Sequence, residues 1–251
     1  MSGTGPGVRS EGPFHEASGR AALAGEGSMT AATDGGSRRL LIALQLLTFT
    51  TGLVDAASVL GLGHVFTANM TGNVVFLGFA LGGTPGVSIA GSLVALAFFL
   101  VGAGLGGLIA RRGERQAVGT ALALELGLLV VAAGAAALID GRGAMASGAV
   151  LVLVSAPMGI QNAAVRRLGV PDMPTTVLTL TLTGIAADSS LAGGTNPRLG
   201  RRLGAVFSML AGALLGALLM KRGLAWTIGA AGISHAAGLA GFWAETRPRA
   251  G

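Results

Sequence analysis

Residues 40–243 form a succession of apolar stretches close to twenty residues long, with the arginines gathered in short runs between them. A bilayer core about 30 Å thick needs roughly 20 helical residues at 1.5 Å each. Inside lipid every backbone polar group must be satisfied within its own segment, so such stretches are held to helix. Five stretches, 40–62, 87–110, 116–139, 203–220 and 223–243, meet or approach this length easily. A sixth, 147–166, qualifies too, although Pro157 should kink it and Gln161-Asn162 make it polar. Two shorter and more polar stretches remain, 65–83 and 174–191. The second alternates Thr179, Thr181 and Thr183 with leucines, as a strand would, but an open strand cannot span lipid and helix is expected.

Composition agrees. Only 11% of the residues are charged, where a soluble domain carries about 25%. The expected fold class is therefore all-α, a polytopic transmembrane helical bundle. The net charge of +6 does not call for nucleic acid, because the arginines sit between apolar segments, as topology places them. With no Cys, disulfides and thiolate metal sites are excluded, and three scattered His make no zinc motif. No metal or cofactor is expected. Residues 1–37 are rich in Gly, Ser, Ala and Glu without a periodic apolar face and read as a disordered tail. The transmembrane domain is expected over 38–245, followed by a short polar tail at 246–251.

The two halves resemble each other, about 40–139 and about 147–243. Gly102-x-x-x-Gly106, closed by Arg111-Arg112-Gly113, matches Gly212-x-x-x-Gly216, closed by Lys221-Arg222-Gly223, at an offset of 110. Gly52-x-x-Asp55-Ala56-Ala57 matches Gly159-x-x-Asn162-Ala163-Ala164 at 107. Thr67-x-x-x-Thr71-Gly72 matches Thr179-x-x-x-Thr183-Gly184 at 112. The four glycines of the first match are small-xxx-small packing signals. They could join the halves or join two protomers, which leaves a homo-oligomer open.

Counting Lys and Arg weighs the topology. With eight spans the two sides carry eight and seven, no bias. If 65–83 and 174–191 instead dip in and return, twelve fall on the side of the N-terminus and three on the other. The favoured arrangement is six full spans plus two short or re-entrant helices, with eight spans as the alternative. The N-terminus is then cytoplasmic, and the halves are inverted, an architecture that transporters use.

The candidate site residues are the polar ones inside these spans. An aspartate costs roughly 2.5–3.5 kcal/mol at a helix centre in the membrane, so Asp55 is expected to face a protein interior, a cavity or a ligand. Its duplicate, Asn162, keeps the hydrogen-bonding shape without the charge. Thr67 and Thr71 are expected to share one face of a helix, and Asn69 and Asn73 another. Together with Gln161, Asn162, Thr179 and Thr183 they would line a polar cavity, or else bond one helix to the next. Glu125 and His235 correspond at the 110 offset and could relay protons or pair with each other. Asp188 is expected to be solvated. There is no GxSxG, HExxH, Walker A or Rossmann fingerprint.

The run Thr51-Gly52-Leu53-Val54-Asp55-Ala56-Ala57-Ser58, followed by Phe66-Thr67-Ala68-Asn69-Met70-Thr71-Gly72-Asn73, resembles the YoaK family of bacterial integral membrane proteins of unknown function. The resemblance covers about residues 40–245. It implies a multi-pass protein of the bacterial plasma (inner) membrane and supplies no substrate or catalytic residue. From the residues themselves, three functions compete. The first is a small-solute or ion transporter, proton-coupled through Asp55, Glu125 and His235. The second is a sensor or scaffold that binds a lipid or protein partner. The third, least favoured, is a membrane-embedded enzyme.

Overall fold

The computed structural model describes residues 38–111, 114–138, 144–170 and 178–246. The expected tail at 1–37, and all but the first residue of the one at 246–251, lie outside the described residues. Among the described residues there are eight α-helices and no strand: α1 Arg38–Gly61, α2 Met70–Leu81, α3 Ile89–Ile109, α4 Arg115–Leu138, α5 Ala144–Leu168, α6 Leu178–Ala187, α7 Leu199–Met220 and α8 Leu224–Thr246. A 3-10 turn, Ser190–Ala192, lies between α6 and α7. Helices α1, α3, α4, α5 and α7 are long and apolar enough to cross a membrane. Helix α8, at 23 residues, is as long. It packs along α1 and α4. Helix α5 continues as helix through Pro157.

Close contacts fix the directions of the helices. Along the α1–α7 interface, Gly61 lies against Met220, Gly216 against Ala56, Gly212 against Phe49 and Gly204 against Gln45, so the two run parallel. Along α3–α5, Gly102 meets Ala156 and Gly106 meets Ile160, again parallel. Helix α8 is antiparallel to α1, with Gly61 beside Leu224 and Gly238 beside Ala43. It is antiparallel to α4 as well, with Gly119 beside Phe242 and the Leu122 carbonyl beside His235. One core cluster joins the end of α1 and the end of α4 to the start of α5, and the other joins their starts to its end. Helix α5 therefore opposes both. In chain order the six long helices run up, down, up, down, up, down.

This order has a consequence for the short helices. Helix α1 ends, and α3 begins, at the same end of the bundle, so the segment holding α2 leaves and returns there. The segment holding α6 does the same at the opposite end. At 12 and 10 residues, helices of about 18 and 15 Å are in any case too short to cross. The structure has the arrangement of six long and two short helices, not the eight-span alternative. Arginines stand at the starts of α1, α4 and α7 and at the ends of α3 and α5. At the other end of the bundle only Lys221 and Arg222 are basic among the described residues.

The packing is the same when the halves are exchanged. Helix α1 packs on α7 and α8, as α5 packs on α3 and α4. Helix α2 rests on α3, as α6 rests on α7. Helices α4 and α8 pair with each other, and so do α1 and α5. Because the equivalent helices α1 and α5 point in opposite directions, the pseudo-twofold axis is perpendicular to the helices and lies in the plane of the membrane. Each half hands its first helix to the other half, so the two cannot separate as independent bodies. The glycine pairs of α3 and α7 sit at these inter-half contacts, where a Cβ on Gly106 would stand 2.7 Å from the Ile160 carbonyl oxygen. Helices α1 and α5 are central: 72% and 61% of their most apolar stretches are buried, against 22% for α3 and 17% for α7. Large apolar side chains such as Leu100, Leu108, Phe207 and Leu214 point outward, where lipid would meet them.

Candidate functional site

Helix α1 ends in a turn through Gly63 and His64, both at positive φ. The chain then doubles back over residues 65–69 as an irregular loop before α2 starts at Met70. Asp55 holds this loop. Its Oδ1 accepts from the Thr67 backbone N–H at 3.0 Å, the Ala68 N–H at 2.9 Å and the Thr67 hydroxyl at 3.2 Å. Asn73, one turn into α2, grips the same loop from the other side. Its Oδ1 accepts from the Phe66 N–H at 2.8 Å and its Nδ2 donates to the Phe66 carbonyl at 2.6 Å. The side-chain amide thus pairs with both backbone groups of one residue, as a neighbouring strand would. The Phe66 ring stacks on Phe76 and occupies the space a Cβ on Gly72 would need.

The motif Phe66-Thr67-Ala68-x-x-x-Gly72-Asn73 is therefore a clasp that returns the chain towards α3. Thr67 precedes the helix and is buried, whereas Thr71 lies on the helix and is exposed, so they do not share a helix face. Asn69 is the exposed N-cap residue of α2 and Asn73 is buried, so they do not share one either. The reason is that an irregular pentapeptide, not helix, occupies 65–69.

Deeper in the bundle, α1 and α5 touch through Gln161, whose Nε2 donates to Thr51 Oγ1 at 2.8 Å. Asn162, half-buried, donates to the Met158 carbonyl of its own helix at 2.8 Å. Glu125 of α4 and His235 of α8 are fully buried and do meet, with His235 Nδ1 3.2 Å from Glu125 Oε1. This is ion-pair distance, though off hydrogen-bond alignment. His235 Nε2 lies 2.8 Å from the Leu122 carbonyl. A carbonyl only accepts, so Nε2 carries a hydrogen. Nδ1 is left facing the Glu125 carboxyl. These two residues are each other's counterparts under the pseudo-twofold, so the contact lies on the axis.

The second half departs from the first. The buried residue of α6 is Thr181, while Thr179 and Thr183 are exposed. That of α2 is Asn73, which places the short helices at an offset of 108, beside the 107 of α1 and α5. The 112 register read from Thr-x-x-x-Thr-Gly is thus not the structural one. It arises because Thr recurs at every second position there. Asp188, expected to be solvated, pairs with Arg202 of α7, Oδ2 to Nη1 at 2.7 Å. The same Nη1 donates to the Gly184 carbonyl at 2.6 Å. Arg202 is buried and ties α6 to α7. It looked like one more topological arginine. The signal that would have found it is the small-residue face of α7, Ala205, Gly212 and Gly216, which reaches Arg202 about three turns before Gly212. An open depression of about 580 Å³ lies over Ile185, Ser189, Ser190, Leu191, Asn196 and Leu199. None of the central polar groups lines it.

Two short helices held by clasps, six long ones and buried polar groups on the axis define a multi-pass α-helical membrane protein with inverted halves. The chain belongs to the family described as "Protein of unknown function (DUF1275)", whose model matches residues 43–240. It is 42% identical over 151 residues to UPF0700 transmembrane protein YoaK of Bacillus subtilis (strain 168), a match covering 59% of this chain and 66% of that protein, just under two thirds of the relative's length. No solved structure matches.

Proposed function

We propose that this membrane protein is a transporter of a small solute or ion that works by moving its inverted halves against each other, seen here with its midplane closed. One observation carries the reading: the contact pattern is unchanged when the halves are exchanged, while the exchanged helices run in opposite directions. In such a molecule a conformation open to one side has a counterpart open to the other, reached by swapping the conformations of the halves. The polar groups stand where such a path would cross. Gln161, Glu125 and His235 are buried near the axis, and Asp55 lies one turn from Thr51, which Gln161 touches. On this reading Asp55, Glu125 and His235 handle protons. The Arg-rich end faces the cytoplasm of a bacterial inner membrane.

The complete burial of these groups favours a second reading, a fixed scaffold or sensor that binds a lipid or protein at its outer surface. Cysteine labelling separates the two, since the chain has no Cys of its own. Ala57 and Ala164 are buried counterparts, one towards each end of the bundle. In a transporter, Ala57→Cys and Ala164→Cys each react with a small thiol reagent, Ala57→Cys from one side of the membrane and Ala164→Cys from the other, and conditions that expose one protect the other. If folded protein leaves both unreactive under every condition, the scaffold reading replaces transport.

A further inference from the structure

Two buried oxygens at the α1–α5 contact have no donor. All three donors to the Asp55 carboxylate converge on Oδ1, and Oδ2 has no partner among the described residues. Asp55 is only 5% exposed, and no basic side chain pairs with it among the described residues. The second oxygen is Gln161 Oε1, fully buried and equally without a partner. Its orientation is fixed by chemistry. Thr51 has one hydroxyl hydrogen and gives it to the Leu47 carbonyl at 3.0 Å, so towards Gln161 it can only accept. The amide must present Nε2 to Thr51 and turn Oε1 away.

Thr51 and Asp55 are four residues apart, so their side chains stack on one face of α1, about 5–6 Å between Cβ atoms. The Gln161 amide therefore meets α1 on the face that carries Asp55, at the residue one helical turn before it. Both orphan atoms are acceptors. The buried hydroxyls of Ser92 and Ser155 also lack partners, but a serine can turn onto the carbonyl one turn earlier. A carboxylate or amide oxygen has no such recourse, and a desolvated charge without a partner is among the costliest arrangements a protein can hold.

We infer that Asp55 Oδ2 and Gln161 Oε1 hold one small monovalent cation per chain. A single carboxylate supplies a single negative charge, and no group of three His, Cys, Asp or Glu that could hold a metal gathers among the described residues. The stoichiometry follows from the pseudo-symmetry: the counterpart of Asp55 is the neutral Asn162, so the second half has no equal site. A proton on Oδ2 and a sodium ion between the two oxygens share this chemistry. The other ionisable groups carried within the helices around α1 are engaged, His235 with Glu125 and Arg202 with Asp188, or, like Glu245 and the remaining arginines, stand at helix ends. The inference deepens the transport reading by giving the class of ion and where it is held, but binding is measured without flux, so either can fail alone.

The test is thermal unfolding of the purified full-length chain in detergent, read by tryptophan fluorescence. Sodium is titrated against choline at constant alkaline pH, and pH is varied in choline. A stabilising occupant raises Tm by about 5–10 °C at a hundredfold excess over its Kd. Asp55→Asn keeps the Oδ1 contacts and places an amide N–H where the cation would be. Its Tm without sodium should equal or exceed that of the wild type, with no cation response. Gln161→Leu, which leaves Asp55 and its loop alone, should shift the titration midpoint by about tenfold, one lost ligand. A sodium response lost in Asp55→Asn establishes the site with sodium as its occupant. A response to pH alone, with stability lost towards alkaline pH and the dependence absent in Asp55→Asn, establishes it with a proton. No response to either, or one that survives in Asp55→Asn, overturns the inference.

Discussion

His235→Leu removes the one partner the Glu125 carboxyl has among the described residues, and the structure sets the size of the effect. The two groups are 3.2 Å apart with no exposure on either side. At that distance a unit-charge pair attracts by about 5 kcal/mol with an effective dielectric constant of 20. The cost of drying both groups offsets much of this. Breaking a buried pair from one side nevertheless costs about 3–5 kcal/mol, because the survivor stays dry and unpaired. Glu125 can escape by taking a proton from solvent, so the lower half of that range is expected at neutral pH. For a domain of this size that is a fall in Tm of about 10 °C. The double variant Glu125→Leu/His235→Leu leaves nothing unpaired and should return to within about 1 kcal/mol of the wild type. Unfolding of the four proteins, wild type, two singles and the double, gives the coupling directly. If the single losses simply add, with coupling under about 0.5 kcal/mol, the pair does not hold α4 to α8 and the reasoning fails. A stable double variant that has lost transport would separate the chemistry of these residues from their packing.

Three further outcomes are expected. Gly102→Ala and Gly212→Ala drive a methyl into the Ala156 and Phe49 carbonyls across the parallel contacts and should each cost about 1–3 kcal/mol. Gly104→Ala, with open space around it, should be neutral in the same melt. Asn73→Asp retains the acceptor for the Phe66 N–H but loses the donor to its carbonyl, a loss of about 1–3 kcal/mol; hydrogen exchange at Phe66 to Ala68 should rise before that of α1. In intact cells, an impermeant thiol reagent should label Arg222→Cys and spare Arg111→Cys and Arg167→Cys. Labelling of Arg111→Cys and Arg222→Cys together would contradict the order in which the helices run, whereas labelling of Arg111→Cys and Arg167→Cys with Arg222→Cys spared would reverse only the orientation.

The sequence alone determined the helical membrane class, because stretches of about twenty apolar residues leave the backbone no other way to satisfy itself in lipid. It also carried the inversion of the halves, since arginine placement is a local property that favours one set of loop positions. It marked Asp55, Gln161, Glu125 and His235 as out of place in lipid, and it related Glu125 to His235 through the repeat. What those groups touch was decided only by the tertiary structure. Thr67 and Asn73 looked like members of helical faces, yet residues 65–69 leave the helix because Asp55, twelve positions earlier, outbids helical hydrogen bonds for the Thr67 and Ala68 amides. The burial of Arg202 required a carboxylate from Asp188 and a carbonyl from Gly184, both from the segment preceding α7. The pairing of α1 with α7 and of α3 with α5, which interlocks the halves, depends on glycine backbones meeting across a long separation in the chain. Periodicity reports which face of a helix is small or polar, but the partner of that face is set by packing, which is a property of the whole chain.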